Sequence, residues 1–304
     1  MDVDSGHYRL TERVSTGRLF TRLVLGLSLL APLASCENSF NGLLTLTLAD
    51  TPADGVQHVV LAVTGVDVGS AGGRTGFAFT SEIPVDVAAQ QGFISFNLLT
   101  SQLVPAGKYE WVQLDVDPAN SYVIASNGGQ YPLAVPRALR VYRNFMVGEG
   151  LLSNEQVDVD LHRSLAFDAG GAVPQYVLAP DLKLIDLDTT GSVVGLVANT
   201  LQIAGLSLSD ARCQPAAYVY TGQGVVPEGY DVMVKGGTAP MASGTVSFDS
   251  TRGLYVFVVA YLPPGLYTTA VTSGALDAAG ASNLTFSPVQ TFIITVGQRT
   301  VVQF

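Results

Sequence analysis

Val104-Pro105-Ala106-Gly107-Lys108-Tyr109-Glu110-Trp111-Val112-Gln113-Leu114-Asp115-Val116-Asp117 decides the fold class of this chain. Proline presets φ at about −65° and glycine accepts positive φ, so Pro-x-Gly makes a tight turn into the next segment. That segment alternates. Val112, Leu114 and Val116 fall on one face; Tyr109, Trp111, Gln113, Asp115 and Asp117 fall on the other. Period-two alternation is the mark of a strand with one face against a core. Leu262-Pro263-Pro264-Gly265-Leu266-Tyr267 repeats the turn and its tyrosine late in the chain. The echo predicts two related β units.

Working outward, short apolar runs separated by Gly, Pro, Asn and Asp predict strands throughout. In the first half they cover 43–49, 58–66, 93–98, 108–117, 121–125, 139–147, 156–161 and 176–187. In the second they cover 193–197, 216–221, 231–234, 244–248, 254–261, 266–272, 290–295 and 300–304. Asn127-Gly128-Gly129 reads as a hairpin turn. Helical periodicity is nearly absent; 88–91 and 98–103 could each make a single turn. The polar stretch Asp186-Leu187-Asp188-Thr189-Thr190-Gly191-Ser192 is the best boundary. The expected fold is all-β: two β-sandwich domains, prealbumin- or immunoglobulin-like, over 42–187 and 192–304. Their cores are expected to hold Val59, Leu61, Val112, Leu114 and Val116 in one, and Val256, Val258, Leu266 and Phe292 in the other.

The N-terminus reads as a signal. Arg9, Arg13, Arg18 and Arg22 precede an apolar stretch from Leu23 to Leu33, and small residues then lead to Cys36. That stretch is shorter than the roughly 20 residues a membrane-spanning helix needs. Leu33-Ala34-Ser35-Cys36 looks like the lipobox of bacterial lipoproteins. The resemblance implies cleavage after residue 35, a lipid on Cys36 and a tether over 36–41. Glu37, rather than an Asp that resembles an inner-membrane retention signal, points to the outer membrane, on its periplasmic or surface face.

Composition excludes several classes. The net charge is −10, and the signal removes four arginines against three acids, so the mature chain is more acidic still. Nucleic-acid binding wants a basic patch instead. Charged residues make up 13%, about half the ordinary globular share, in a chain that is 48% hydrophobic; disorder would need the reverse. Two cysteines, one destined for lipid, leave Cys213 with no disulfide to form inside the chain, and it is expected to be a small buried filler.

Further blocks resemble one family. Leu46-Thr47-Leu48-Ala49-Asp50-Thr51-Pro52, His58 through Val66, Pro105 through Leu114, Gly129-Gln130-Tyr131-Pro132-Leu133 and Asp160-Leu161-His162-Arg163-Ser164-Leu165 occur in the order of the bacterial lipoprotein domain-of-unknown-function family 4382. The likeness covers Gly42 to about Val197. It implies a lipid-anchored β domain and brings no activity or site residues with it. The remainder resembles the prealbumin-like sandwich that often follows such a domain.

No catalytic constellation stands out. His58 opens an apolar strand and His162 ends one; Gly-x-Ser-x-Gly and His-Glu-x-x-His are lacking, so no catalytic residue, metal site or cofactor is expected. Asp115 with Asp117, and Asp158 with Asp160, alternate along strands, as solvated faces also do. The most suggestive surface is the face of Tyr109, Trp111, Gln113, Asp115 and Asp117. A flat ring beside carboxylates and an amide suits a sugar; packed on a second sheet, the same rings would be core. The chain reads as a non-enzymatic binding or structural module of the cell envelope. The alternative is a carbohydrate-binding or accessory domain of polysaccharide processing. Its partners would be the membrane, through Cys36, and a glycan or envelope protein.

Overall fold

The two Pro-x-Gly turns are where the chain crosses from one sheet to another. The computed structural model describes residues 40–304 apart from 52, 54, 180, 211–212, 231–237 and 275–283. The signal, Cys36 and the strand expected at 231–234 lie outside the described residues.

The first sandwich pairs β12 (Leu182–Asp186), β9 (Leu152–Asp160), β1 (Asn41–Thr51) and β4 (Phe96–Pro105), in that order, in one sheet. Its second sheet runs β10 (Leu165–Asp168), β11 (Gln175–Leu178), β7 (Gln130–Ala134), β6 (Tyr122–Ala125), β2 (Val56–Ser70), β5 (Gly107–Val116) and β8 (Leu139–Val147). The strand β3 (Gly73–Asp86) adds to β2. One helical turn, α1 (Leu161–Ser164), links β9 to β10.

The second sandwich has β18 (Ser247–Asp249), β19 (Leu254–Leu262), β13 (Gly191–Val197) and β22 (Arg299–Gln303) in one sheet. The other holds β17 (Ala242–Thr245), β16 (Ala216–Thr221), β20 (Gly265–Thr272) and β21 (Gln290–Ile294). A small hairpin pairs β14 (Gln202–Ile203) with β15 (Leu206–Ser207).

The two sandwiches share one plan. β1 runs antiparallel to β4 and parallel to β9; β13 runs antiparallel to β19 and parallel to β22. Facing them, the order β3-β2-β5-β8 is matched by β17-β16-β20-β21. β4 passes to β5 through the first Pro-x-Gly, and β19 to β20 through the second. At each crossing the buried tyrosine hydroxyl donates to the carbonyl four residues back: Tyr109 to Pro105 and Tyr267 to Pro263, both at 2.8 Å. Tyr109 stacks on Phe145 at 5.1 Å and Tyr267 on Phe292 at 5.8 Å.

Each sandwich encloses its own apolar cluster. One includes Leu44, Leu46, Leu48, Leu61, Val112, Leu114 and Val157; the other includes Val193, Val219, Phe257, Val259 and Phe292. Together, Ser39–Phe304 forms one compact unit. The second core differs from expectation. Tyr255, Phe257 and Val259 point inward, Val256 and Val258 stay half-exposed, and Leu266 is exposed. The β19 run is apolar at every position, so its sequence does not choose a face. Gly195 does: it stands opposite Phe257, whose ring fills the space a Cβ would need. Cys213 is half-buried rather than buried.

Other departures are local. Residues 98–103 are strand within β4, not a helical turn. The run 176–187 is divided between β11 and β12. β3 was not expected, because Gly, Thr, Ser, Glu and Pro interrupt its apolar residues and most of its side chains face solvent. The Asn127-Gly128-Gly129 turn joins β6 to β7 as expected, with Gly128 at φ 82°.

Replacing Tyr109 or Tyr267 with Phe removes one hydroxyl bond and leaves a carbonyl unpaired. Each change should lower the unfolding free energy by about 1–2 kcal/mol. If the two cores fold separately, urea unfolding monitored by circular dichroism will show two transitions. Tyr109→Phe should then move one of them and Tyr267→Phe the other.

Candidate functional site

Two places gather polar chemistry: the outward face of β5, and a cleft at the far end of β1.

On β5 the alternation breaks once. Trp111 pairs with Gly69 and Tyr142, yet Tyr109 pairs with Ser70 and Phe145, so Glu110 is an extra residue on β5 relative to β2. This bulge turns Tyr109 onto the core side with Val112 and Leu114, away from Trp111. Trp111, Gln113 and Asp115 remain on the outer face, half-buried. They are wired to one another through Arg140. Its guanidinium lies 4.1 Å over the Trp111 ring, and its Nε and Nη2 donate to Gln113 Oε1 at 2.9 and 2.6 Å. Gln113 Nε2 donates to Asp115 Oδ1 at 2.6 Å. The indole also covers Gly69, where a Cβ would sit 1.8 Å from the ring. Asp117 belongs to the turn after β5, accepting from the Ala119 amide and the Asn120 side chain. The structure therefore joins three of the five expected face residues.

The cleft has a volume of about 750 Å³ and is lined from both sandwiches. Its floor is the end of β1 and β9: Ala49, Asp50, Gln156 and Asp158, with Lys183 from β12. Its wall includes Ser243, Thr245, Val256, Val258 and Tyr261. Thr245 Oγ1 donates to Gln91 Oε1 at 2.7 Å across the two sandwiches. Tyr261 holds φ at 57°, the left-handed region, where β19 is out of register with β13. Such strain in a bulky residue is uncommon.

Three buried carboxylates behave differently. Asp160 caps α1, accepting from the Arg163 amide at 3.2 Å and from Lys183 Nζ at 3.3 Å. Asp67 is paired with Arg74 at 2.6 Å. Asp50 is also buried, but neither of its oxygens has a well-formed hydrogen bond among the described residues. Burial, and then the charge of Asp158, push its carboxyl well above the ordinary range, against the weaker pull of the Leu161 amide. Farther along β9, Glu155 is pushed up to about 8 by burial first, with Asp186 adding and Arg143 opposing.

The histidines lie in other settings. His58 Nδ1 is 2.6 Å from Asp86 Oδ2 at an exposed position. His162 stacks 4.5 Å from Tyr230, so α1 touches the second sandwich. Among the described residues, no group of three or more His, Cys, Asp or Glu could hold a metal ion. Sequence reasoning missed the cleft: Gln156 and Lys183 were not expected as site residues and Asp158 was read only as one of an alternating pair, because the cleft forms between strands far apart in sequence.

Residues 41–180 match the family model described as Domain of unknown function (DUF4382). The match starts at β1 and stops before β12, within the first sandwich. No curated protein matches the chain. Among solved structures, the chain is similar to the Bacillus anthracis TIE protein, at 11% identity and TM-score 0.20, covering 87% of this chain and 33% of that one. It therefore spans a third of that protein's length. It is similar to BcpA, the major pilin subunit of Bacillus cereus, at 11% identity and TM-score 0.20, covering 87% and 69%. A putative polysaccharide binding protein (DUF1812) of Bacteroides thetaiotaomicron matches at 10% identity and TM-score 0.18, covering 80% and 78%.

Trp111 is the single tryptophan, so its fluorescence reports the β5 face. Gly69→Ala must push the indole outward and Arg140→Ala must uncover it. Both should raise acrylamide quenching above that of the wild type; unchanged quenching would contradict the geometry. Glu155 gives a pH signature. Its folded pKa of about 8 lies above the ordinary 4.5, so on raising the pH the unfolded chain gives up this proton first. Stability from this group is full below about pH 4.5 and is lost as pH rises toward 8. The fall in melting temperature between pH 5 and 8 should be smaller in Glu155→Gln than in wild type.

Proposed function

We propose that this chain is a non-enzymatic binding module of the bacterial cell envelope, held by a lipid on Cys36, with its ligand seated in the cleft between the two sandwiches. The observation that carries the reading is the cleft itself. Its volume of about 750 Å³ falls in the range of small-molecule sites, about 300–1,000 Å³, and Gln156, Asp158 and Lys183 put polar groups on its floor. A ligand that supplies hydrogen-bond donors and acceptors would meet them there.

A second reading names the ligand as a carbohydrate, bound in an accessory role to polysaccharide processing. The cleft favours it in one respect. A sugar hydroxyl both donates and accepts, which complements Gln156, Asp158 and Lys183, and Val256 and Val258 offer an apolar wall. The outer face of β5 supports this reading less, since the Trp111 ring is already engaged by Arg140 and Gly69.

A glycan array probed with the full chain tests both readings. Retention of one glycan class, lost when Val258→Trp fills the cleft, supports the carbohydrate reading; turnover of that glycan would replace the module with an enzyme. Retention undiminished in Val258→Trp would overturn the cleft as the seat.

A further inference from the structure

The outward face of the β4-β1-β9 sheet changes character along its length. Leu44, Leu46 and Leu48 point into the core, so Leu43 points out. Leu43 is in register with Leu103 on β4 and with Leu152 on β9, which makes one row of three leucines across the sheet. Leu103 is 66% exposed and Leu152 45%; beside them, Phe40 is 55% and Leu151 64% exposed. Backbone bonds fix these flanking residues to the same strand end: the Ala106 amide donates to Phe40 O at 2.7 Å and the Leu43 amide to Leu151 O at 2.8 Å. The next outward position of β1 is polar, with Thr45 opposite Asn154 and Thr45 Oγ1 accepting from the Ser101 amide. The apolar surface is therefore an end cap with a polar rim. The cleft lies at the other end of β1.

We propose that this cap, formed by Phe40, Leu43, Leu103, Leu151 and Leu152, rests in the surface of the bilayer that carries the lipid on Cys36. The proposal depends on that lipidation. Chain length selects the occupant. Three residues lie between Cys36 and Phe40, and a fully extended chain covers at most about 3.6 Å per residue, so Phe40, at the edge of the cap, stays within about 14 Å of the lipidated cysteine. An apolar surface held so near the acyl–headgroup boundary gains by entering it, and a second contact strengthens a lipid anchor. A cap facing the periplasmic water would instead leave five large apolar side chains hydrated at the point closest to lipid.

The test uses full-length protein purified from membranes and reconstituted in phosphatidylethanolamine–phosphatidylglycerol vesicles. In a Cys213→Ser background, a nitrobenzoxadiazole dye is placed at Leu103→Cys and, as a comparison, at Phe248→Cys. Phe248 lies on β18 of the second sandwich and is 53% exposed. The expected result is a blue-shifted dye at 103, quenched several-fold more by shallow spin-labelled lipids than the dye at 248. Mass spectrometry of the same preparation reports the acyl groups on Cys36. Lipidated protein with equal quenching at 103 and 248 overturns the membrane contact and leaves the anchor standing. Protein without acyl groups on Cys36 overturns the anchor, and the contact with it. A blue shift at 103 that grows with protein concentration and ignores the spin labels assigns the cap to a second copy of the chain, and also overturns the proposal. Leu103→Ser with Leu152→Ser, at exposed positions, should abolish the blue shift of a dye at Leu151→Cys while keeping the circular dichroism of the parent.

Discussion

The hydrogen bond from the Tyr109 hydroxyl to the Pro105 carbonyl, with its twin from Tyr267 to Pro263, sets the frame of both sandwiches. A sandwich needs its chain to leave one sheet and join the other at a fixed angle, and a flexible corner would let the two apolar faces slide. Proline and glycine make the turn, but they do not say how far the next strand stands from the last. The tyrosine does. Its ring is driven into the core by burial, and its hydroxyl then has to find a partner there. The carbonyl four residues back is within reach only when the corner is closed. Stacking on Phe145 or Phe292 carries the constraint to the next strand. The same device used twice, in two sandwiches with the same seven-strand plan, accounts for the sequence echo.

This corner was legible in the sequence because it depends on residue types at fixed spacing. The face of Tyr109 was not. Strict alternation puts Tyr109 with Trp111, and the bulge at Glu110 that separates them depends on pairing with β2 and β8, which lie far away in sequence. β19 failed for the opposite reason: with apolar residues at every position it has no pattern, and Gly195 on β13 chooses its inward face. β3 was hidden because its apolar residues, Phe77, Phe79, Ile83 and Val85, are spread among Gly, Thr, Ser, Glu and Pro, and most of its side chains face solvent. The all-β class, the corner turns and the hairpin at Gly128 survive all of this, since each rests on local chemistry.

Asp50 lies at the limit of such reading. In a chain with few charges, several carboxylates are nevertheless buried near strand ends or on a sheet face. Two are explained by their partners: Asp160 caps a helical turn and receives Lys183, and Asp67 receives Arg74. Removing either partner would strand a buried charge, so these groups serve the fold. Asp50 differs: burial, with Asp158 adding and the Leu161 amide opposing, pushes its carboxyl well above the ordinary range, and the alternation that sends Leu44, Leu46 and Leu48 inward sends it inward too.

β1 then joins the two proposed sites. Its outward side chains run from Leu43 through Thr45 and Thr47 to Ala49, beside Asp50. The leucine row and the cleft floor are thus opposite ends of one strand. At about 3.3 Å per residue, the eight residues from Leu43 to Asp50 span about 25 Å. A long flexible tether would let the cleft wander over distances set by chain statistics. A tether this short and an apolar cap would not: with the cap in the bilayer surface, β1 would become a rigid post. The ligand seat would then be held at one height above the membrane, facing material at that distance rather than the lipid itself. The central strand of the first sheet is paired on both sides, to β4 and to β9, which is the stiffness such a post requires.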